Sequence, residues 1–421
     1  MASKNKLFSV HAIIRLLLLL CVSGNLLAQN KLPDIELDPV EITENRISPF
    51  AIGAHTTAFD STLSNLKAGN NVADLVANYT AISLKSYGNG MLSTISMRGT
   101  GPEHTAVLWH GINISYPMLG QSDLSVLSLA FADKIIIQHG ANSALYGSGA
   151  IGGTVSLENL EPVKGVNLSL SQWFGSFGTL SNNLKASFNT DKYFIKINTL
   201  WNQSENNFAF KNTTKVGIPV EKQNGANYNI LGTSVDAGLR LSKGKMLMLS
   251  GQYFNADRNI QPSMNANTSG DNQMDENIRV RVGYSHQKVK SEWELSYAYL
   301  HDVIGFNGEE TIADQHIVRS KFTHQLLNKI KLNAGIDYNR INIQAKFYID
   351  EGKLENRANL WSSVLFNPIP RFLLSINLRQ SFNPDYKIPF TQSIGAEYLL
   401  VNSAKHQLRL KGLFSEGYRV P

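Results

Sequence analysis

Long segments in which apolar and polar residues alternate dominate the chain after about residue 165, and they limit its possible folds more than any other feature. In residues 371–382 (RFLLSINLRQSF), Leu374 and Ile376 lie on one face and Ser375 and Asn377 on the other. The same alternation recurs in residues 245–254, 279–284 and 329–341. A period of two over ten or so residues predicts β-strands whose two faces meet different environments.

The breaks between these segments have two different lengths. Short polar breaks lie at residues 190–192, 242–245, 287–291, 328–329, 367–370 and 402–405. Longer polar stretches lie at residues 203–227, 256–273 and 344–357. Short turns that alternate with long loops are typical of a transmembrane β-barrel. A soluble β-sandwich is disfavoured because its strands usually run about five or six residues, roughly half the length seen here.

The remaining composition agrees with a barrel. Charged residues make up 17% of the chain, below the roughly 25% usual for soluble domains. No run of about 20 apolar residues follows residue 28, and only helices and closed barrels satisfy backbone hydrogen bonds in a bilayer. Residues 163–421 hold about thirteen alternating segments, whereas plugged barrels have about 22 strands. We therefore expect an incomplete antiparallel transmembrane barrel, truncated at its C-terminus.

The N-terminus has the pattern of a secretory signal peptide. Lys4, Lys6 and Arg15 precede an apolar run over residues 16–22, and Ala28 follows. A basic region, a short apolar core and a small residue predict cleavage near residue 28. Cys21, the single cysteine, lies within this segment, so a lipoprotein anchor is an alternative. The mature chain would then contain no thiol and no disulfide.

Two regions separate the signal peptide from the barrel. Residues 29–59 are polar and extended, with prolines at 33, 39 and 49. Residues 60–162 have mixed patterns, and Val72, Leu75 and Val76 are spaced as one face of a short helix over residues 71–78. Short strands are predicted at residues 94–97, 105–109, 134–138 and 153–157. The region reads as a compact α+β domain that plugs the barrel.

Several motifs resemble TonB-dependent outer-membrane receptors. Residues 37–46 (LDPVEITENR) resemble the TonB box, here assigned to Asp38, Pro39, Val40, Glu41, Ile42 and Thr43. Residues 71–100 are similar to the first half of the family's plug and include Arg98 and Gly99 of its Ile-Ser-x-Arg-Gly core. Residues 142–157 (NSALYGSGAIGGTVSL), with Gly147, Gly152 and Gly153, carry the most specific resemblance. The spacing is nearest to the cobalamin receptor branch.

The resemblance implies a transporter. The expected function is import of a scarce bulky nutrient, such as a corrinoid or an iron-siderophore, across the outer membrane of a Gram-negative bacterium. The implied partners are the ligand, membrane lipid, and TonB with its inner-membrane motor proteins. TonB would pair with residues 38–43 by strand addition. The predicted ligand contacts lie in apical plug loops: Tyr87, Asn89, Met91, Tyr116, Met118 and Leu119.

The alternatives are a passive pore, an adhesin, or a receptor fragment without function. The chain also departs from the family pattern at four plug positions. His110 replaces an aspartate, Ile136 and His139 replace a glutamate and an arginine, and Ala141 replaces a proline. In the family, the glutamate and the arginine usually attach the plug to the barrel through polar contacts. The sequence therefore does not show how this plug is attached.

Other motifs carry little weight. Residues 147–152 (GSGAIG) fit G-x-G-x-x-G, but a strand and not a helix follows, so no nucleotide site is predicted. His104, His110 and His139 match no common metal-ligand spacing. We expect no enzyme activity, no nucleic-acid binding and no cofactor, and the sequence carries no signal for or against calcium in the outer loops.

Overall fold

A computed structural model describes residues 48–60, 69–265, 270–345, 352–403 and 406–420. The predicted signal peptide (residues 1–28) and the predicted TonB box (residues 38–43) lie outside the described residues. Within those described ranges, no helix has both the length and the apolar character that a membrane crossing requires.

Residues 56–158 form a small α+β domain. Its strands are β1 (Thr56–Phe59), β2 (Ser83–Ser86), β3 (Ser93–Ser96), β4 (Thr105–Trp109), β5 (Ile112–Asn113), β6 (Lys134–His139) and β7 (Gly153–Glu158). Its helices are α1 (Val72–Tyr79) and α2 (Ser143–Tyr146), with single 3₁₀ turns at Pro102–His104 and Leu129–Phe131. A mixed five-stranded sheet has the order β1-β6-β7-β4-β5, and β2 pairs with β3 in a separate hairpin.

Helix α1 forms where the sequence pattern places it. Asn71 and Asp74 make a capping box, in which each side chain accepts from the other residue's backbone N–H. Such reciprocal bonds satisfy two donors that a helix N-terminus otherwise leaves open. Leu75 and Val76 are buried in one apolar core with the sheet residue Ile135. The predicted helix is therefore confirmed, together with the four predicted short strands to within a residue or two.

The small domain begins earlier than the sequence pattern indicates. Strand β1 (Thr56–Phe59) pairs antiparallel with β6 along its whole length. Residues 56–59 were predicted to belong to the N-terminal extension, but in the structure they form an edge strand of the plug sheet. The pattern misses them because residues 56–59 (TTAF) do not alternate between apolar and polar residues.

The second part of the chain is one antiparallel sheet of thirteen strands. These strands are β8 (Gly165–Phe174), β9 (Leu180–Asn189), β10 (Tyr193–Ser204), β13 (Tyr228–Ser242), β14 (Lys245–Ile260), β15 (Asp271–Gln287), β16 (Ser291–Phe306), β17 (Glu309–Leu327), β18 (Ile330–Gln344), β19 (Lys353–Ile369), β20 (Phe372–Phe382), β21 (Thr391–Asn402) and β22 (Gln407–Ser415). A two-stranded hairpin, β11 (Ala209–Lys211) with β12 (Val220–Lys222), lies in the connection after β10.

Each strand of this sheet pairs with its sequence neighbours, as in an up-and-down barrel wall. Within the described residues, β8 and β22 each pair on one side only. The predicted fold class, a plug followed by about thirteen strands of an incomplete barrel, is confirmed.

The two faces of the wall differ as the alternation predicts. On β16, Leu295 and Tyr297 are exposed on the outer face, while Ser296, Ala298 and Leu300 are buried on the face that carries the plug. Apolar exposed side chains recur on the outer face of most strands, and buried polar ones recur on the inner face. An apolar exterior and a polar interior are the arrangement that a membrane barrel requires.

Two connections differ from the predicted layout. Strand β14 continues to Ile260, through residues predicted to begin a loop. Strands β16 and β17 are joined by Asn307 and Gly308 alone, both at positive φ (50° and 86°). An Asn-Gly pair favours this tight hairpin because both residues tolerate the left-handed conformation.

Candidate ligand site at the plug apex

The two ends of the sheet are distinguishable by their connections. Short turns join β9 to β10, β13 to β14, β15 to β16, β17 to β18, β19 to β20 and β21 to β22; we call this the turn end. The longer connections lie at the opposite end, the loop end, where their described residues are 205–227, 261–265, 270, 345, 352 and 383–390. In barrels of this kind the short turns face the periplasm and the long loops face outside.

A cavity of about 390 Å³ opens between the plug and the wall at the loop end. Tyr87, Met91 and Leu92 line it from the plug, and Ile260 and Pro262 line it from the wall. Its volume falls within the roughly 300–1,000 Å³ of small-molecule sites, and its lining is mainly apolar as such sites are. It is the candidate ligand site because its lining is mainly apolar and includes two of the predicted contact residues, Tyr87 and Met91.

The polar groups of this cavity are mostly uncharged. Gln261, Ser263 and Gln273 contribute amides and a hydroxyl. Among the described residues that line it, Arg258 carries the sole charge. That guanidinium is 2% exposed and forms ion pairs with Asp123 and Asp275, so its charge is neutralised within the protein. The described lining of the cavity is therefore apolar and amide-bearing, and its one guanidinium is paired with carboxylates.

The predicted contact residues near the cavity occupy both sides of one plug loop. Tyr87 is 54% exposed, whereas Met91 is buried, and both line the cavity. Asn89 faces a second cavity of about 210 Å³, and its side-chain nitrogen lies 3.5 Å from the Tyr228 hydroxyl. Gly90 borders both cavities. The loop at residues 87–92 therefore separates the two.

The other predicted contacts divide between seam and surface. Tyr116 is buried, with its hydroxyl 3.4 Å from side-chain oxygens of Asp275 and Asn277 on the wall. Burial, and next the Asp275 carboxylate, hold the pKa of Tyr116 well above its ordinary value. Met118 packs against an apolar group of the wall that includes Ile341. Leu119 alone of these three is exposed, at 48%.

The predicted plug-core residues shape tight backbone passages. Arg98 and Gly99 are consecutive residues at positive φ (54° and 75°) after β3. A side-chain carbon at Gly152 or Gly153 would overlap Thr100 or Met97, respectively. Gly147, also at positive φ (85°), ends α2, and its N–H donates to the Ser143 carbonyl at 2.9 Å. Glycine permits these positive φ values and close approaches.

Buried ion pairs attach the plug to the wall near the turn end. Lys196 of β10 pairs with Asp133 of the plug, and the two side chains are 8% and 17% exposed. The same ammonium lies 3.7 Å from Asp236 of β13, and the plug residue Asn159 donates to Asp236 at 2.8 Å. Removing one partner of a buried pair typically costs about 3–5 kcal/mol.

Two arginines of the wall bond to plug carbonyls midway along the strands. Arg379 donates to the carbonyl oxygens of Ala144 (3.3 Å) and Leu145 (2.9 Å) at the end of α2. Arg319 donates to the Gly111 carbonyl at 2.9 Å. Asp337 pairs with both guanidiniums, at 2.7 and 3.5 Å. Together with the contacts of Lys196 and Arg258, these bonds hold the plug against the wall, although isoleucine and histidine occupy positions 136 and 139.

The two substituted positions have other roles. Ile136 is fully buried in the plug sheet. The His139 ring packs edge-on against His55, with centroids 4.8 Å apart. Burial, followed by the nearby His55 and Arg98 charges, lowers the pKa of His139.

The three histidines considered as metal ligands make separate contacts. His104 accepts from the Gly101 N–H at 3.2 Å, and His110 lies 3.5 Å from Asp236, while His139 contacts His55. In the described ranges, no group of three or more histidine, cysteine or acidic residues is arranged to hold a metal ion.

Sequence reasoning missed the wall residues that hold the plug. Lys196, Arg258, Arg319 and Arg379 are charged residues at inward positions of alternating strands. That position was the available signal, because a charge on the inner face of a plugged barrel needs a partner on the plug or on a neighbouring strand.

A plug sheet packed against a barrel wall with an apolar outer face is the architecture of a plugged membrane barrel. Residues 51–154 match the family model of the TonB-dependent receptor plug domain. The fold resembles the siderophore receptor PirA from Pseudomonas aeruginosa (TM-score 0.68, 12% identity, 89% of this chain and 63% of that one). Residues 51–154 are thus similar to TonB-dependent receptor plug domains, and barrel strands follow them.

Two sequence relatives are vitamin B12 transporters. The chain is 22% identical to the vitamin B12 transporter BtuB of Photobacterium profundum over 358 residues, which is 83% of this chain and 56% of the relative. It is 25% identical to BtuB of Vibrio vulnificus over 164 residues, which is 36% of this chain and 27% of the relative. The chain spans little more than half of the former relative and about a quarter of the latter.

Proposed function

We propose that this protein imports a bulky corrinoid across the outer membrane of a Gram-negative bacterium by a TonB-driven movement of the plug. The observation that carries the proposal is the cavity between the plug loop at residues 87–92 and the β14–β15 loop. Its apolar lining, its amides and its neutralised Arg258 suit a large ligand rich in amides and poor in negative charge. Nothing is converted chemically in this process.

Iron-siderophores are the second ligand class. The fold likeness to PirA leaves them open, but an anionic chelate would need cations that the described lining does not offer. A passive pore or adhesin would leave the plug as a static cap. The buried ion pairs at Lys196 and Arg258 favour a plug that moves only when it is pulled.

The ligand test uses the intact gene product in outer membranes and cyanocobalamin as the probe. Tyr87→Ala should weaken probe binding, because Tyr87 lines the cavity and is half exposed. Tyr79→Ala is the matched control, since Tyr79 is a similarly exposed plug tyrosine that packs on Phe59. Binding of ferric siderophores and not of cyanocobalamin, with the same Tyr87 dependence, would reassign the ligand class.

The energy-coupling test concerns residues 38–43. The alternating sequence positions of Val40 and Ile42 suit strand addition to a sheet edge of TonB through main-chain hydrogen bonds. Proline at either position removes a backbone donor, so Val40→Pro and Ile42→Pro should abolish pulldown by the C-terminal domain of TonB. Ion conductance without TonB, together with unaffected uptake in both variants, would favour the passive pore.

A further inference from the structure

We propose that Arg258 is the residue through which an occupied cavity loosens the plug. It would act by holding the Gly90 carbonyl and the Asp123 carboxylate in one hydrogen-bonded group. The inference rests on the proposed function, because it requires a ligand in the cavity at the plug apex.

The geometry joins three parts of the molecule at one side chain. Arg258 Nη1 lies 2.8 Å from Asp123 Oδ2, 3.1 Å from Ser125 Oγ and 3.3 Å from the Gly90 carbonyl, all on the plug. Its Nη2 donates to Asp275 of the neighbouring strand. Arg258 also lines the cavity. A wall residue therefore contacts the ligand space, the loop beneath the ligand and a buried plug carboxylate at once.

Contacts at Gly90 and Asn89 restrict movement of the loop at residues 87–92. A side-chain carbon at Gly90 would overlap the Tyr228 ring, so the backbone already lies against that ring. The Asn89 carbonyl is held by the Asn206 side chain at 3.1 Å. A ligand that presses on Tyr87 or Met91 must therefore move the Gly90 carbonyl relative to Arg258.

Asp123 carries this change into the plug. Its Oδ1 accepts from the backbone N–H of Ser93 (3.0 Å) and Ser125 (2.9 Å) and from the Ser125 hydroxyl (2.7 Å). Ser93 begins β3, which pairs with β2, and the loop at residues 87–92 connects those two strands. The carboxylate that Arg258 bonds therefore also holds Ser93, the residue at which the loop enters β3.

The arginine has one donor to spare. Arg258 Nε is buried and has no hydrogen-bond acceptor in the part of the chain that the structure describes. A carbonyl oxygen of an amide-bearing ligand would accept from Nε and pull the guanidinium away from the Gly90 carbonyl, which accepts from Nη1. Lysine would keep the charge, but its ammonium is a compact group with three donors and cannot reproduce the planar set of five.

The test measures hydrogen exchange at residues 93–96 and 123–125 of the intact protein, with and without saturating cyanocobalamin. In the wild type we expect the probe to raise exchange about 5- to 150-fold, the usual range of coupling between sites. Arg258→Lys should weaken probe binding, because Arg258 lines the cavity. At a probe concentration that saturates the variant, the probe-induced rise should fall below about twofold.

Lys196→Gln is the matched control, because it breaks a plug–wall ion pair at the turn end, away from the cavity. It should raise exchange equally with and without the probe and keep the wild-type ratio. A merely structural Arg258 would behave like Lys196. The inference is overturned if Arg258→Lys keeps the wild-type ratio, or if Lys196→Gln abolishes it.

The experiment distinguishes failure of the proposed role of Arg258 from failure of the ligand assignment. A wild type that binds cyanocobalamin without any rise in exchange refutes the role of Arg258 and leaves the ligand assignment standing. A wild type that binds no cyanocobalamin refutes both.

Discussion

Replacing Gly395 of β21 by alanine tests whether the plug is pressed against the wall as closely as the structure shows. A side-chain carbon at Gly395 would overlap the Ile52 carbonyl oxygen and approach the Ser375 hydroxyl to 3.1 Å. Ile52 is fully buried and precedes Gly53, whose own backbone lies against Gly412 of β22. The segment that leads into β1 therefore has no space to accept even one methyl group.

The magnitude follows from the cost of overpacking. An added methyl group in a well-packed interior typically costs about 1–3 kcal/mol, equivalent to a change of about 5- to 150-fold in an equilibrium constant. Gly395 is in an extended strand and not at positive φ, so alanine introduces no backbone strain. The overpacking free energy should therefore weaken only the packing of residues 50–59 against the wall.

Gly412→Ala is the matched control on the adjacent strand. A side-chain carbon there meets nothing within 4 Å, and the loss of glycine's unfolded-state freedom is the same in both variants. Hydrogen exchange of a peptide spanning residues 48–59, measured on the purified protein in lipid, should rise by the factor above in Gly395→Ala and stay near wild type in Gly412→Ala. Equal exchange in the two variants would refute the close seam.

Three further predictions concern the plug and its attachment. Burial lowers the pKa of His139, so the folded plug resists a protonation that the unfolded chain accepts, and the free energy of unfolding should fall as pH drops below about 6.5. His139→Gln should flatten that part of the curve of unfolding free energy against pH. An unchanged slope would contradict this. Arg379→Met should raise exchange around Leu145 by leaving buried carbonyls unbonded, at about 1–3 kcal/mol each, whereas protection equal to wild type would show that those bonds contribute nothing. In a double-mutant cycle on plug release by denaturant, Lys196→Met and Asp133→Asn should be non-additive by about 0.5–3 kcal/mol, and additive effects would mean that the pair does not interact.

The attachment of the plug shows where sequence reasoning stopped. Arg258 lies in residues that looked like the start of a polar loop, yet β14 extends through it and buries it. A polar stretch is read as a loop because strands are recognised by their apolar alternate positions. Inside a plugged barrel both faces of a strand end are polar, because one faces the plug and the other the outer loops. The alternation of apolar and polar residues therefore disappears where the wall contacts the plug.

Packing, and not residue type, determines which of the candidate ligand contacts are exposed. Tyr87 and Tyr116 are both loop tyrosines in the sequence, but the first is 54% exposed and the second 6%. The difference arises because Tyr116 faces Asp275 and Asn277 across the seam. Which wall residue faces a plug loop depends on the rotation of the plug and the stagger of the strands, and neither is encoded locally.

The sequence by itself determined the strands, their approximate number and the apolar outer face, because a period of two is a local property that each strand carries alone. It also determined the capped helix α1 and the tight glycine passages of the plug, for the same reason. Only the tertiary structure decided that Lys196, Arg258, Arg319 and Arg379 hold the plug. Their partners are distant in the chain, and a buried charge is stable only where folding brings a partner within hydrogen-bond distance.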